Sequence, residues 1–187
     1  MIAARRPRLK TRSKAYFWFR AALNRAHFTE EEACGAALVK AQFNTITPEN
    51  VLKWEPVHPA LDRYSFEDAD RYVAFGEKNH MFTIGHTLVW HNQTPKWVFQ
   101  DNQGNPIVRD ALLQRMRDHI RTVVGRYKGR IKGWDVVNEA VNEDGSLRQT
   151  PWLKIIGEEY LAKAFEFAHE ADPDAQIEVS SELSFGE

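Results

Sequence analysis

The feature that most constrains this chain is how its hydrophobic spacing switches between a period of two and a period of about 3.6. Stretches suited to strands recur at Arg20 to Leu23, Phe43 to Thr47, Met81 to Trp90, Ile131 to Asn138 and Ile177 to Ser181. Helical patterns occupy the intervals. Thr29-Glu30-Glu31-Glu32 has the form of a capping box that opens a helix running to about Gln42, and Ser65-Phe66-Glu67-Asp68 resembles a second cap ahead of Tyr72, Phe75 and Gly76. Leu113, Met116, Ile120, Val123, Val124 and Tyr127 fall on one stripe, and Trp152 to Glu170 reads as one long amphipathic helix that Pro173 stops. Strands separated by helices imply parallel pairing through right-handed crossovers, so this is an α/β chain.

Doubly wound sheets and (β/α)8 barrels both satisfy that alternation. A dinucleotide-binding sheet should carry a Gly-rich turn after its first strand, and Ala22-Leu23-Asn24-Arg25 is not one; nor is there a phosphate-binding P-loop. The barrel reading therefore leads, and it directs attention to the carboxyl ends of the strands, where barrels carry their chemistry. The 187 residues suit one domain. A whole barrel typically takes about 250, so the expected content is four βα units and one further strand.

Charge excludes some roles. The 25 Lys and Arg residues against 26 Asp and Glu disfavour a globally basic nucleic-acid binder. Six of the basic residues lie in positions 1 to 14, which hold no acid, leaving 19 against 26, or −7, for the rest. Positions 1 to 15 thus read as a flexible basic leader on an acidic body. Cys34 is the single cysteine, so no intramolecular disulfide forms. No run approaches the roughly 18 apolar residues of a membrane span, and the patch Ala15 to Phe19 falls short of a signal-peptide core, which leaves localisation open.

Three strand ends carry polar sets. After the second strand come Glu49, Asn50 and Lys53, although Thr47 as N-cap, Pro48 at the first helical position and a Glu49/Lys53 pair would equally describe an ordinary helix start. The third strand ends at His86, Trp90 and His91, with Gln93 just beyond. Strand alternation puts His86 and Trp90 on one face and His91 on the other, which disfavours a shared metal and leaves His86 to donate to a substrate hydroxyl beside the flat Trp90 wall. A core histidine beside a core tryptophan is the competing reading. The fourth strand ends in Asn138 and Glu139, where partial desolvation would keep a glutamic acid protonated for general-acid work; a loop cap or an ion pair would be the plainer role. Taken together, with Trp54, Trp97 and Trp152 close by as stacking faces, these sets suit a carbohydrate.

Phe43 to Trp54, His86 to Pro95 and Trp134 to Ala140 resemble, in order, the signature segments of glycoside hydrolase family 10, the endo-β-1,4-xylanases. The likeness runs from about Tyr16 to Gln176. It implies a (β/α)8 barrel of which positions 16–176 are the N-terminal half, endo-hydrolysis of xylan or xylo-oligosaccharides by a retaining two-carboxylate mechanism, and no metal or organic cofactor. It further implies Glu139 as general acid/base, Asn138 on the sugar 2-hydroxyl, and Glu49, Asn50, Lys53, His86, Trp90 and Gln93 lining the pocket on the non-reducing side of cleavage.

The resemblance stops before the family's nucleophile strand. Positions 177–187 read as a divergent tail in which Glu182 is only a remote echo of that carboxylate, with Ser184 where an aspartate is expected. An open half-barrel would expose sheet edges and invite self-association. A non-catalytic xylo-oligosaccharide-binding or assembly fragment is thus the alternative to an enzyme, and a plain α/β domain without sugar function is the third.

Overall fold

The computed structural model describes residues 18–180. The basic leader and Glu182 lie outside them. The chain runs β1 (Arg20–Leu23), α1 (Arg25–Phe28), α2 (Ala33–Gln42), β2 (Thr45–Pro48), α3 (Trp54–Val57), α4 (Glu67–Lys78), β3 (Phe82–Val89), a 3-10 turn (Lys96–Val98), α5 (Arg109–Arg126), β4 (Gly133–Asn138), α6 (Pro151–Ile156), α7 (Tyr160–Ala171) and β5 (Gln176–Ser180). The strands form one parallel sheet in the order β1-β2-β3-β4-β5, as strand-helix alternation requires. Every residue of β2 and β4 is buried, the mark of parallel strands covered on both faces.

Several local expectations fail for identifiable reasons. Thr29 does not open a helix; it ends α1, its hydroxyl donating to the Arg25 carbonyl at 2.8 Å. The working capping box lies upstream, where the Asn24 side chain accepts from the His27 backbone N–H and the His27 ring accepts from that of Asn24. Glu30 then turns left-handed at φ 62°, and α2 starts only at Ala33. Ser65 caps nothing either. α4 begins at Glu67 behind Phe66 with no side-chain cap, and its first turn instead carries Glu67, Asp68 and Asp70, which suit the positive end of the helix dipole. Thr47 and Pro48 belong to β2 rather than to a helix start. The expected helix from Trp152 to Glu170 is two helices, because Gly157 adopts φ 93°; Thr150 caps the first by accepting from the Leu153 N–H. On α5, Leu112 and His119 join the buried stripe while Leu113 sits at its margin.

Two contacts bind the strands that carry the site. The Tyr72 hydroxyl, reaching in from α4, lies 2.9 Å from the Ile46 carbonyl on β2 and 2.8 Å from the Ile84 carbonyl on β3, so its single proton serves both. On the next strand pair Gly85 faces Trp134, and a Cβ at position 85 would lie 2.2 Å from the indole ring. Only glycine lets that ring lie flat against β3. One register step later His86 faces Asp135.

Candidate active site

β2, β3 and β4 are adjacent and parallel, so their carboxyl ends open on one rim. Glu139, the first residue after β4, adopts φ 52°, a left-handed conformation that costs a non-glycine residue about 1–2 kcal/mol. Two backbone bonds hold it there. Its N–H donates to the Ser180 carbonyl at 2.8 Å, and its carbonyl accepts from Arg148 Nε at 3.2 Å. The half-buried carboxylate accepts from Trp90 Nε1 at 3.0 Å and lies 3.7 Å from His91 Nε2. The Lys53 ammonium stands 4.6 Å from the centre of a Trp90 ring and donates to Asn50 Oδ1 at 3.1 Å. Asn50, Lys53, Trp90 and Glu139 therefore form one continuous string across three strand ends.

The remaining residues join it less directly. The Glu55 N–H donates to the Gln93 carbonyl at 2.9 Å, tying the loop after β2 to the loop after β3, and Gln93 contributes through its backbone. Glu49 is exposed at the end of β2. His86 Nδ1 lies 2.7 Å from Asp135 Oδ2. A carboxylate accepts, so Nδ1 carries a proton toward Asp135 and Nε2 is the nitrogen left to meet a ligand. Asn138 Oδ1 is buried with no partner among the described residues.

Three contributors escaped the sequence reading. Asp135 was visible as an acid in the middle of an apolar strand. Strand alternation sets His91 on the opposite face from His86 and Trp90, yet both Trp90 and His91 reach Glu139, because β3 ends at Val89 and alternation does not extend past it. Burial, outweighing the neighbouring Glu139 charge, pushes the His91 pKa below the ordinary histidine value. Arg148 lies in a polar loop that offered no signal.

Trp54 and Trp152 are not open stacking faces; both are buried. Trp54 lies face to face with His119 at 3.7 Å, and Trp152 Nε1 donates to the Trp90 carbonyl at 2.9 Å. Trp97 is half-buried, its Nε1 donating to the Pro59 carbonyl at 3.2 Å.

His119 Nδ1 meets His58 Nδ1 at 3.2 Å, and His58 Nε2 lies 3.3 Å from the Leu61 carbonyl. That carbonyl can only accept, so His58 donates from Nε2 and receives the His119 proton at Nδ1. Both rings are neutral in this arrangement. Burial pushes His58 below the ordinary value and His119 well below it, with His58 adding to the effect on His119. Depressed histidines stabilise the fold above the unfolded value of about 6.5, and this contribution is lost as pH falls below it. Melting temperature is accordingly expected to hold above about pH 7 and to decline between about pH 6.5 and 5. Thermal melts should show a shallower decline for His119→Phe, and an unchanged slope would contradict the assignment.

Known proteins place this architecture. The family model described as Glycosyl hydrolase family 10 matches residues 8–179. Endo-1,4-beta-xylanase A of Xylanibacter ruminicola is 44% identical over 176 residues, covering 94% of this chain and 48% of that protein. A GH10 endoxylanase retrieved from sugarcane soil metagenome superposes with TM-score 0.88 at 48% identity, covering 92% of this chain and 50% of that one. Xylanase 10B of Thermotoga petrophila RKU-1, in complex with xylobiose, gives 0.87 at 40% identity, covering 96% and 54%. The chain spans about half the length of these relatives, whose folds are (β/α)8 barrels. With the family model matched along nearly all the described residues and the strand order in agreement, the chain belongs to glycosyl hydrolase family 10.

Proposed function

We propose that this chain carries the acid/base half of an endo-β-1,4-xylanase site. The observation that carries the reading is the Glu139 carboxylate, fixed at the rim beside the Trp90 indole, which itself lies under the Lys53 cation. In the retaining mechanism such an acid protonates the departing glycosidic oxygen while a second carboxylate, about 5–5.5 Å away, attacks the anomeric carbon; the first then acts as base toward water. Among residues 18–180 no second carboxylate is assigned that role, so the nucleophile lies elsewhere.

Binding falls to the surrounding groups. Lys53 and Asn50 present a cation and an amide to sugar hydroxyls, Glu49 adds an acceptor, and His86 offers Nε2. Asn138, unpartnered at Oδ1, offers its amide to the hydroxyl next to the scissile bond, and Gln93 closes the outer side. Trp90 supplies the flat apolar wall that sugar C–H faces favour. No step of this scheme uses a metal or an organic cofactor.

Isothermal titration with xylotriose tests the binding part. Lys53→Met keeps much of the aliphatic stem and removes the charge, and hydrogen bonds to charged groups are worth about 1.5–3 kcal/mol, so Kd should rise roughly 10- to 100-fold with the melting temperature little changed. An unaltered Kd would remove Lys53 from the site. Binding without any turnover, even when a nucleophile-bearing half is supplied, would favour a non-catalytic sugar-binding module.

A further inference from the structure

Lys53 stands over Trp90, and the residue that follows it, Trp54, opens α3. α3 is four residues long and has no side-chain cap, and a helix that short does not hold itself together in water. Its anchorage is the Trp54 ring. That ring is 2% exposed and lies against His119 of α5, with 3.7 Å between centres and 5° between planes. His58 closes the same turn, its N–H donating to the Trp54 carbonyl at 2.7 Å, and its ring is coplanar with that of His119 to within 1°. Tyr64 stacks on His58 at 3.8 Å. Two histidine rings joined edge to edge thus pin α3 to α5.

The bond that joins them tolerates one distribution of protons. With His58 donating from Nε2 to Leu61 and receiving the His119 proton at Nδ1, His119 Nε2 is left as a bare acceptor, buried and without a partner among the described residues. An added proton ends at that position by either route. His119 takes it there directly, or His58 takes it at Nδ1 and obliges His119 to accept at Nδ1 and carry its own proton on Nε2. Both routes enclose a cation with an unsatisfied N–H, which is costly. A second proton sets two N–H groups against each other across 3.2 Å. Separation of the rings relieves both states.

No carboxylate meets either ring among the described residues. The titratable and charged groups around the pair are Tyr64, itself within the field of exposed Asp118, Arg115 standing over Trp97, and Lys53 and exposed Glu55 on either side of Trp54. Burial holds both histidines below their ordinary value, so the neutral pair prevails at neutral pH.

We propose that His119 is a positioning residue for the rim: its neutral ring, bonded to His58, holds Trp54 and so sets Lys53 over Trp90, and protonation of the pair releases α3 and weakens sugar binding. The proposal rests on the sugar-binding reading above and adds to it a proton-sensitive support that touches no sugar. Release of α3 also frees the Glu55 N–H from the Gln93 carbonyl, so the loops after β2 and β3 part together.

Isothermal titration with xylotriose at about pH 7.5 and about pH 5.5, either side of the ordinary histidine value, tests this, with circular dichroism recorded at both. Kd should rise at least about tenfold at the lower pH, as release linked to proton uptake requires, while the circular dichroism stays the same. His119→Asn puts an amide where Nδ1 stood, able to donate to neutral His58 or, turned over, to accept from protonated His58; its Kd should stay within about threefold of the parent at the higher pH and change less than about threefold on acidification. His119→Ala, with neither ring nor donor, should bind at least about tenfold more weakly even at the higher pH. His86, His91, Glu49 and Glu139 belong to the rim and are untouched by these changes, so an acid-dependent rise in Kd that persists in His119→Asn would assign the effect to them and overturn the proposal. Loss of circular dichroism along with binding would overturn it too, by showing that the whole fold gives way. If a variant does not fold, the Trp54 indole signal of the 15N-labelled parent decides: it should move with the same pH midpoint as Kd, and a signal fixed across the range is the negative result. A parent that fails to bind xylotriose at the higher pH sinks the sugar-binding reading, and the Trp54 signal then judges the histidine support alone.

Discussion

Glu139→Ala is expected to lower hydrolysis of unactivated xylo-oligosaccharides, measured with a nucleophile-bearing half supplied, about 10²- to 10⁴-fold, the usual worth of a positioned general acid. The structure supplies a control that separates chemistry from architecture. Alanine removes both the proton and the acceptor that Trp90 Nε1 meets at 3.0 Å, whereas Glu139→Gln keeps an acceptor in place and removes only the acid. Both variants should therefore fail on natural linkages, and both should lose less on an aryl xylobioside whose leaving group needs little protonation. Steady-state rates on the two substrate types decide the matter. A Gln variant with near-normal rates on xylotetraose would reduce Glu139 to an anchor for Trp90.

The second large effect lies in the sheet beneath. Gly85→Val would drive side-chain atoms into the Trp134 ring, which already leaves no room for a Cβ at 2.2 Å, and should cost at least about 3 kcal/mol. For a chain of this size that corresponds to a fall in melting temperature of roughly 6–12 °C. Trp134→Ala should cost about 3–5 kcal/mol through the cavity it leaves. Because the two side chains occupy the same space, the double variant should lose clearly less than the sum, and a double-mutant cycle measures that coupling. Strict additivity would show that the ring is not what excludes a side chain at position 85. His86 and Asp135 face each other on the adjacent register step, so Gly85→Val should weaken xylotriose binding as well.

The strand-helix alternation and the three polar strand ends were legible because each depends on local residue type and spacing. β4, for instance, shows in Trp134 to Asn138 as an unbroken buried run ending in polar residues. What was not legible depended on partners distant in sequence. Asn24 and Thr29 are both acceptable caps, and which one works follows from the left-handed turn at Glu30. Trp54 passed for a stacking face because nothing nearby announces His119, 65 positions on, as its covering ring. His91 reaches Glu139 because the strand ends at Val89, a boundary that the alternation read through Trp90 does not anticipate. Arg20 on β1 meets Glu178 on β5, 158 positions on, a contact that no local spacing announces.

The central claim is that residues following β2, β3 and β4 share one sugar-binding rim. Nuclear magnetic resonance of the 15N-labelled chain titrated with xylotriose addresses it directly, since each indole N–H is a separate reporter. The Trp90 signal, bonded to Glu139, should shift saturably and lose most of that response in Lys53→Met, while exposed Trp18, packed on Phe82 at the amino end of β3, stays still. A titration that leaves Trp90 unmoved, or that moves Trp18 instead, would contradict the account.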